Sequence, residues 1–357
     1  MPDLLFRLES RLMRVLMNLP VGVQRRLMRR PVVLDGQELA PELQLMLGVM
    51  QLAQRPPFKR LALMSAVETL PVEEARVELV RQARLVGGRQ EIGSVRGLEV
   101  DGGAGPLPAR LYTPLARLGA DPAPTLLFIH GGGWMYGDLE SHDAECRFLA
   151  EASGVQVLAI DYRLSPEHRF PAAVEDCRAA YRWLVEHADE VNADTSRLAV
   201  GGDSAGGALS TATAVFAAES DLPLAFQLLV YPGTDFVERT PSRRLFGEGF
   251  FLTEQFMTGA EEAYFEPGAD KGHPDASAFR RTDFPAKLAP ALVVTAGFDP
   301  LRDEGEAYAE LLRSRGFEVE LKRYPSMIHG FMNVVGAGHE CPANVREIAE
   351  RLGQALA

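Results

Sequence analysis

Apolar positions along this chain fall into three regimes. From residue 109 onward, short runs that are apolar almost throughout alternate with amphipathic stretches. The runs 109–114, 125–133, 155–163, 197–204, 224–232, 291–300 and 319–325 read as strands, and 141–153, 171–188, 205–219, 303–315 and 343–356 as helices. Strands without polar alternation are strands buried on both faces, so the pattern predicts a mostly parallel central sheet flanked by helices. Right-handed crossovers then gather the strand-to-helix loops along one edge of that sheet.

The two other regimes flank and interrupt this rhythm. Residues 1 to about 85 read as helices broken at Pro20, Pro31, Pro41, Pro56 and Pro71. The stretch 233–285, rich in Phe, Glu, Gly and Pro, shows no clear strand and follows the run that ends at Pro232. Its place predicts an insertion above the carboxyl edge, forming a lid with the N-terminal helices. The expected division is 1–60 as the N-terminal part of a helical cap, 61–232 as the first part of the core, 233–272 as the cap insertion and 273–357 as the rest of the core.

Charge changes the picture at the N-terminus. The first thirty residues hold seven arginines against Asp3 and Glu9, about +5, whereas the whole 357-residue chain carries −12. Leu4, Leu5, Leu8, Leu12, Val15, Leu16 and Leu19 recur at helical spacing, and Arg7, Glu9, Arg11 and Arg14 interrupt the run. That is neither a secretory core nor an integral membrane segment. Two readings stand: a helix packing its apolar stripe on the body, or a peripheral helix lying at an anionic membrane surface or over a greasy substrate entrance; the preferred one combines them in a cap over the active site. The acidic balance argues against nucleic acid as a partner. Three dispersed cysteines without a CxxC pair suit a reducing, cytoplasmic setting and offer no zinc framework. Oligomeric state stays open, a homodimer included.

Candidate chemistry begins with "GGDSAGGALS" at 201–210. A strand leads into Ser204 and a helix leads away, with Gly202 and Gly206 filling the G-x-S-x-G elbow that exposes a nucleophile above a sheet. "HGGGWMYGD" at 130–138 follows another strand, and the N–H groups of Gly131 and Gly132, with that of Ala205, would form an oxyanion hole. His130 reads as a residue that orders this loop. Asp299 ends a buried strand and is the expected orienting carboxylate, whereas Asp303 suits the first turn of the next helix. His329, in "YPSMIHGF", is the expected base in preference to His339 in "GAGHECP". His142, His168, His187 and His273 read as surface or helix positions. The order Ser204, Asp299, His329 is that of the α/β-hydrolase fold.

These motifs resemble the hormone-sensitive-lipase-like family of α/β-hydrolases, which includes many bacterial carboxylesterases. "HGGGW", "GDSAGG", "DPLRDEG" and "HGF" match its motifs, as does "DYRLSPEHRFPAAVEDC", and the resemblance covers about 92–357. It implies hydrolysis of short- to medium-chain carboxylic esters through an acyl-enzyme on Ser204, with no cofactor and no metal. Asp203 follows the family's form and is expected to stabilise the elbow by a hydrogen bond. Trp134 and Tyr136 are candidates to line the substrate pocket, with ordinary packing equally open. An amidase or peptidase on the same triad, or a ligand receptor on the same fold, are the alternatives.

Overall fold

The computed structural model describes residues 2–28, 30–53 and 66–357. The expected break at Pro56 and the expected boundary at 60/61 lie outside the described residues, as do the side chains of Leu4 and Leu5.

Eight strands form one sheet: β1 (Ser94–Gly102), β2 (Gly105–Thr113), β3 (Ala123–Ile129), β4 (Gln156–Ile160), β5 (Ala193–Asp203), β6 (Phe226–Val230), β7 (Ala291–Phe298) and β8 (Val319–Ile328). Their spatial order is 1-2-4-3-5-6-7-8. Strands β3 to β8 run parallel, and β1 and β2 form an antiparallel hairpin added at one edge. The apolar-run reading finds β2 to β8 and misses β1. Most of that strand is exposed, because it is an edge strand that buries only the side carrying Leu98 and Val100, against α6.

The reason for continuous apolar runs is visible in the packing. Leu126, Phe128, Val157, Ala159 and Ala199 enter the core on one face, and Leu127, Ile129, Leu158, Ile160, Leu198 and Val200 enter the core on the other. Helices α5 (Asp143–Ser153) and α11 (Glu340–Ala355) cover the first face, while α6 (Ala172–Glu186), α7 (Ala205–Glu219) and α10 (Arg302–Ser314) cover the second. A strand with helices on both sides has no face left for polar residues.

The N-terminal region contains α1 (Pro2–Met17), α2 (Val21–Met28), α3 (Pro41–Ala53) and α4 (Val72–Gly87), with a short two-stranded ribbon at 33–38. Met13 and Met17 of α1 and Leu43 of α3 join the same core as α5 and α11. Glu42 in the first turn of α3 fixes this layer to the body. Its buried carboxylate accepts the N–H groups of His339 (2.6 Å), Glu340 (3.0 Å) and Cys341 (2.9 Å), at the start of α11. An anion is favoured there because those N–H groups have no partner within the helix.

The stretch after β6 holds two helices that its composition does not announce, α8 (Pro241–Phe246) and α9 (Glu254–Tyr264). Each has a threonine N-cap: Thr240 accepts from Arg243 N–H and Thr253 from Phe256 N–H. The Thr253 hydroxyl also donates to Glu68 (3.1 Å), joining α9 to the turn before α4.

Glu42→Ala strips three N–H groups, that of Cys341 buried, of their acceptor, and we expect a loss of about 3 kcal/mol in chemical denaturation. Glu42→Gln, which keeps one acceptor oxygen, should recover part of it.

Candidate active site

Four strand ends meet at one place on the carboxyl edge. Ser204 follows β5, Asp299 follows β7, His329 follows β8, and the glycine loop 130–137 follows β3. Ser204 sits at φ 55°, ψ −117°, a backbone conformation that a non-glycine residue adopts only when its surroundings enforce it. They do so here through close approach. A Cβ on Gly202 would stand 1.9 Å from the Ile129 carbonyl oxygen, and one on Gly206 would stand 1.8 Å from it. The turn therefore needs glycine on both sides of the serine. Ser204 N–H donates to Val230 O (2.8 Å) and closes the turn against β6.

The three side chains predicted to act together are brought together. His329 Nε2 lies 2.9 Å from Ser204 Oγ, and His329 Nδ1 lies 2.8 Å from Asp299 Oδ2. Asp299 is fully buried, and its other oxygen accepts Leu301 N–H at 2.8 Å. The tautomer that fits both contacts carries its proton on Nδ1 and accepts the serine proton at Nε2. His339 lies elsewhere, at the start of α11. Asp303 accepts Ser242 N–H (2.7 Å) at the start of α8.

The glycine loop differs in one respect from its expected form. Gly131 N–H donates to Asp203 Oδ1 at 2.7 Å, so it is turned away from an incoming oxygen and Gly131 is no oxyanion donor. Gly132 and Gly133, at φ 117° and 62°, line the cavity beside Ser204 instead. The third glycine of "HGGG" is the one the sequence reading left out. His130 is buried, stacked on Tyr162 at 4.3 Å with Nδ1 2.8 Å from Gly131 O, as expected of a loop-ordering residue. Burial pushes it down to about 4, so it stays neutral.

Of the two positions expected for His142, surface or helix, the structure gives the helix: it stands at the start of α5 and is not at the surface. It is buried, with Nε2 3.3 Å from Asp203 Oδ1 and Nδ1 3.0 Å from Ser141 Oγ. Burial works against the Asp203 charge, but His142, the Gly131 N–H and His329 outweigh it and hold that carboxyl below its ordinary range. Burial, then the Asp203 charge, raises Glu145 well above the ordinary carboxyl range. His142, Glu145 and Asp203 bring one donor atom each within 4.8 Å of the others, a spacing a cation could use. Asp203 is already engaged by Gly131, and Glu145 accepts from Asn333 Nδ2. His142 and Asp203 form a hydrogen-bonded support beneath the glycine loop, and the second oxygen of Glu145 has no hydrogen-bond partner among the described residues.

Two cavities meet at Ser204. The larger, about 360 Å³, is walled by Met46, Leu47 and Met50 of α3, Leu79 and Val86 of α4, and Phe251. The smaller, about 50 Å³, is walled by Trp134, Phe236, Met257 and Leu301, with Glu304 at its polar side. Trp134 thus lines a cavity, stacked on Tyr264 at 4.7 Å. Tyr136 lines neither: it is buried with Val67, Ala75, Met135 and Ala263, so its role is packing. The α3 and α4 walls were illegible beforehand because no local motif marks a helix as facing a cavity.

The fold, the strand-end placement and the Ser–His–Asp contacts define the class: the chain belongs to the alpha/beta hydrolase fold family (Abhydrolase_3), whose model matches residues 126–333. Among its relatives is the carboxylic ester hydrolase LipN of Mycobacterium tuberculosis, 41% identical over 90% of this chain and 85% of that protein. An ethyl acetate hydrolase of Pseudomonas putida is 37% identical over 81% of this chain and 92% of its own. The structure of a hyperthermophilic esterase from the archaeon Pyrobaculum calidifontis is similar with a TM-score of 0.80 at 36% identity, covering 89% of this chain and 99% of that one.

Glu304 offers a test of the site's electrostatics. One carboxyl oxygen accepts Thr234 N–H (2.7 Å), the other has no partner among the described residues, and burial pushes the group up to about 8. Between its ordinary 4.5 and about 8, the folded protein holds a proton that the unfolded chain has released. Stability therefore falls as pH rises through that window. The opposite effect of His130 is confined to pH below its ordinary 6.5. We expect the melting temperature to decline from pH 6.5 to 8 and Glu304→Gln to flatten that decline. An equal slope in both proteins would show Glu304 to be ionised.

Proposed function

We propose that this chain, a carboxylic ester hydrolase of the alpha/beta hydrolase fold, works through an acyl-enzyme on Ser204. The observation that carries this reading is the 2.9 Å contact between Ser204 Oγ and His329 Nε2, at a strained elbow that opens onto two cavities. A serine hydroxyl near its normal pKa is a weak nucleophile, and a base in hydrogen-bond reach removes that obstacle. Ser204 Oγ attacks the acyl carbon while His329 Nε2 takes its proton. Asp299 keeps Nδ1–H oriented and stabilises the imidazolium. The N–H groups of Gly132, Gly133 and Ala205 receive the oxyanion. His329 then protonates the departing alcohol, and a water that it deprotonates releases the acid.

The unequal cavities support a division of the ester between them, with the short side in the 50 Å³ recess. That recess accommodates only a small group, which favours short- to medium-chain esters. The motif set supports placement in the hormone-sensitive-lipase-like branch. Residues of α3 and α9 wall the cavities, and this supports assigning 1–60 and the 233–272 insertion to a cap over a core built from 61–232 and 273–357, with α4 of the core completing the wall.

Ser204→Ala and His329→Ala should each lower kcat/KM on p-nitrophenyl butyrate by about 10⁴-fold or more, while His339→Ala keeps most activity. If Ser204→Ala matches the unchanged protein, the acyl-enzyme reading is wrong. Across a p-nitrophenyl series from acetate to decanoate, turnover should collapse at the long end. Asp203→Ala should lower kcat about 100-fold with a smaller change in KM, because the glycine loop loses its anchor.

A further inference from the structure

Helix α1 is apolar on two opposite faces. Phe6, Met13 and Met17 turn inward, with Met13 and Met17 buried in the core. At about 100° per residue, Leu8, Leu12 and Val15 fall on the other side of the helix. They stand 56%, 50% and 54% exposed. Val21, Val23 and Leu27 of the neighbouring α2 are exposed as well. The corner between the helices is fixed: Gln24 is fully buried and its side-chain amide donates to Met17 O at 2.7 Å. Leu8, Leu12 and Val15 thus form one exposed apolar stripe along α1, which is unusual for a water-facing helix.

Arginines rim this surface. Arg7, Arg11 and Arg14 are exposed along the flank of α1, between the inner face and the outer stripe, and Arg25, Arg26 and Arg30 are exposed on and after α2. Glu9, the one acid of α1 whose side chain is described, pairs with Arg81 of α4, and Arg25 pairs with Glu38. The basic end belongs to a chain of net charge −12. Near an anionic surface the acidic body is repelled and this end is drawn in, so the molecule is oriented as well as held.

We propose that the outer face of α1 docks on an anionic lipid surface, with Leu8, Leu12 and Val15 entering the acyl boundary and the arginines of α1 and α2 pairing with headgroup phosphates. Such an apolar stripe rimmed by arginine is the pattern of an interfacial helix. No helix among the described residues is long and apolar enough to cross a membrane, so the contact is peripheral. A second copy of this chain is the poorer occupant, because a twofold contact would bring two arginine rims together. Docking also has a functional sense. The inner face of α1 packs on α3, and α3 supplies Met46, Leu47 and Met50 to the larger cavity. Only one helical layer separates lipid-dissolved esters from the cavity wall.

The test is co-sedimentation of the full chain with phosphatidylcholine vesicles, with and without phosphatidylglycerol, at low and high salt. We expect binding to the mixed vesicles that salt weakens. Leu8→Asp/Leu12→Asp/Val15→Asp and, separately, Arg11→Gln/Arg14→Gln/Arg26→Gln should each lower the partition coefficient by about tenfold or more. Turnover of a soluble short ester without vesicles should stay unchanged, showing that the variants fold. Docking is read by sedimentation and is independent of the chemistry at Ser204, so loss of turnover with binding intact would count only against the catalytic reading. A chain that stays in the supernatant, or binds neutral vesicles equally well, overturns the proposal. So does a dimer in analytical ultracentrifugation that the aspartate variant dissolves, since the face would then belong to a second copy.

Discussion

The site rests on one backbone contact. The carbonyl of Ile129, at the end of β3, presses against the turn that carries Ser204 so closely that neither Gly202 nor Gly206 has room for a methyl group. This approach brings the glycine loop and the serine within reach of each other, since both leave adjacent strands, β3 and β5. It also locks the serine at a positive φ, with its hydroxyl raised above the sheet edge. Helix α7 then starts at once, leaving the Ala205 N–H free of helical partners and beside the reacting position.

Asp203 makes the same contact rigid from the other side. Its carboxylate reaches from the elbow to the Gly131 N–H, so loop and serine are tied by a charged hydrogen bond as well as by packing. His142 backs Asp203, and neither needs to touch a substrate to matter. The arrangement spends one glycine N–H on anchoring the loop and presents the next two glycines to the cavity.

Much of this was legible in the sequence, for identifiable reasons. Buried parallel strands leave continuous apolar runs, and polar side chains at strand ends leave short motifs after those runs, so Ser204, Asp299 and His329, which the structure joins, stand out in local text. The errors occurred where local text is silent. Three glycines in a row do not reveal which N–H is taken by a partner 72 residues away, and Gly131 was misassigned for that reason. Tyr136 sits two residues from Trp134, yet only Trp134 reaches a cavity. His142 reads as a surface or helix position and does stand at the start of α5, but its burial, created by the elbow of another strand, leaves no local mark. Helices α8 and α9 are short and capped by threonine, and their apolar residues are too few to establish a period.

The carboxylate of Glu42 shapes how this protein can diversify. It anchors α3 by the first turn, while Met46, Leu47 and Met50, which wall the larger cavity, lie within the next two turns of the same helix. The attachment point and the substrate wall are therefore adjacent but separate. Substitutions along the wall can widen, narrow or polarise the cavity while the helix stays hooked to the start of α11. An esterase built this way can change its preferred ester by altering a few side chains on one firmly held rod, leaving the hydrolytic machinery under it undisturbed.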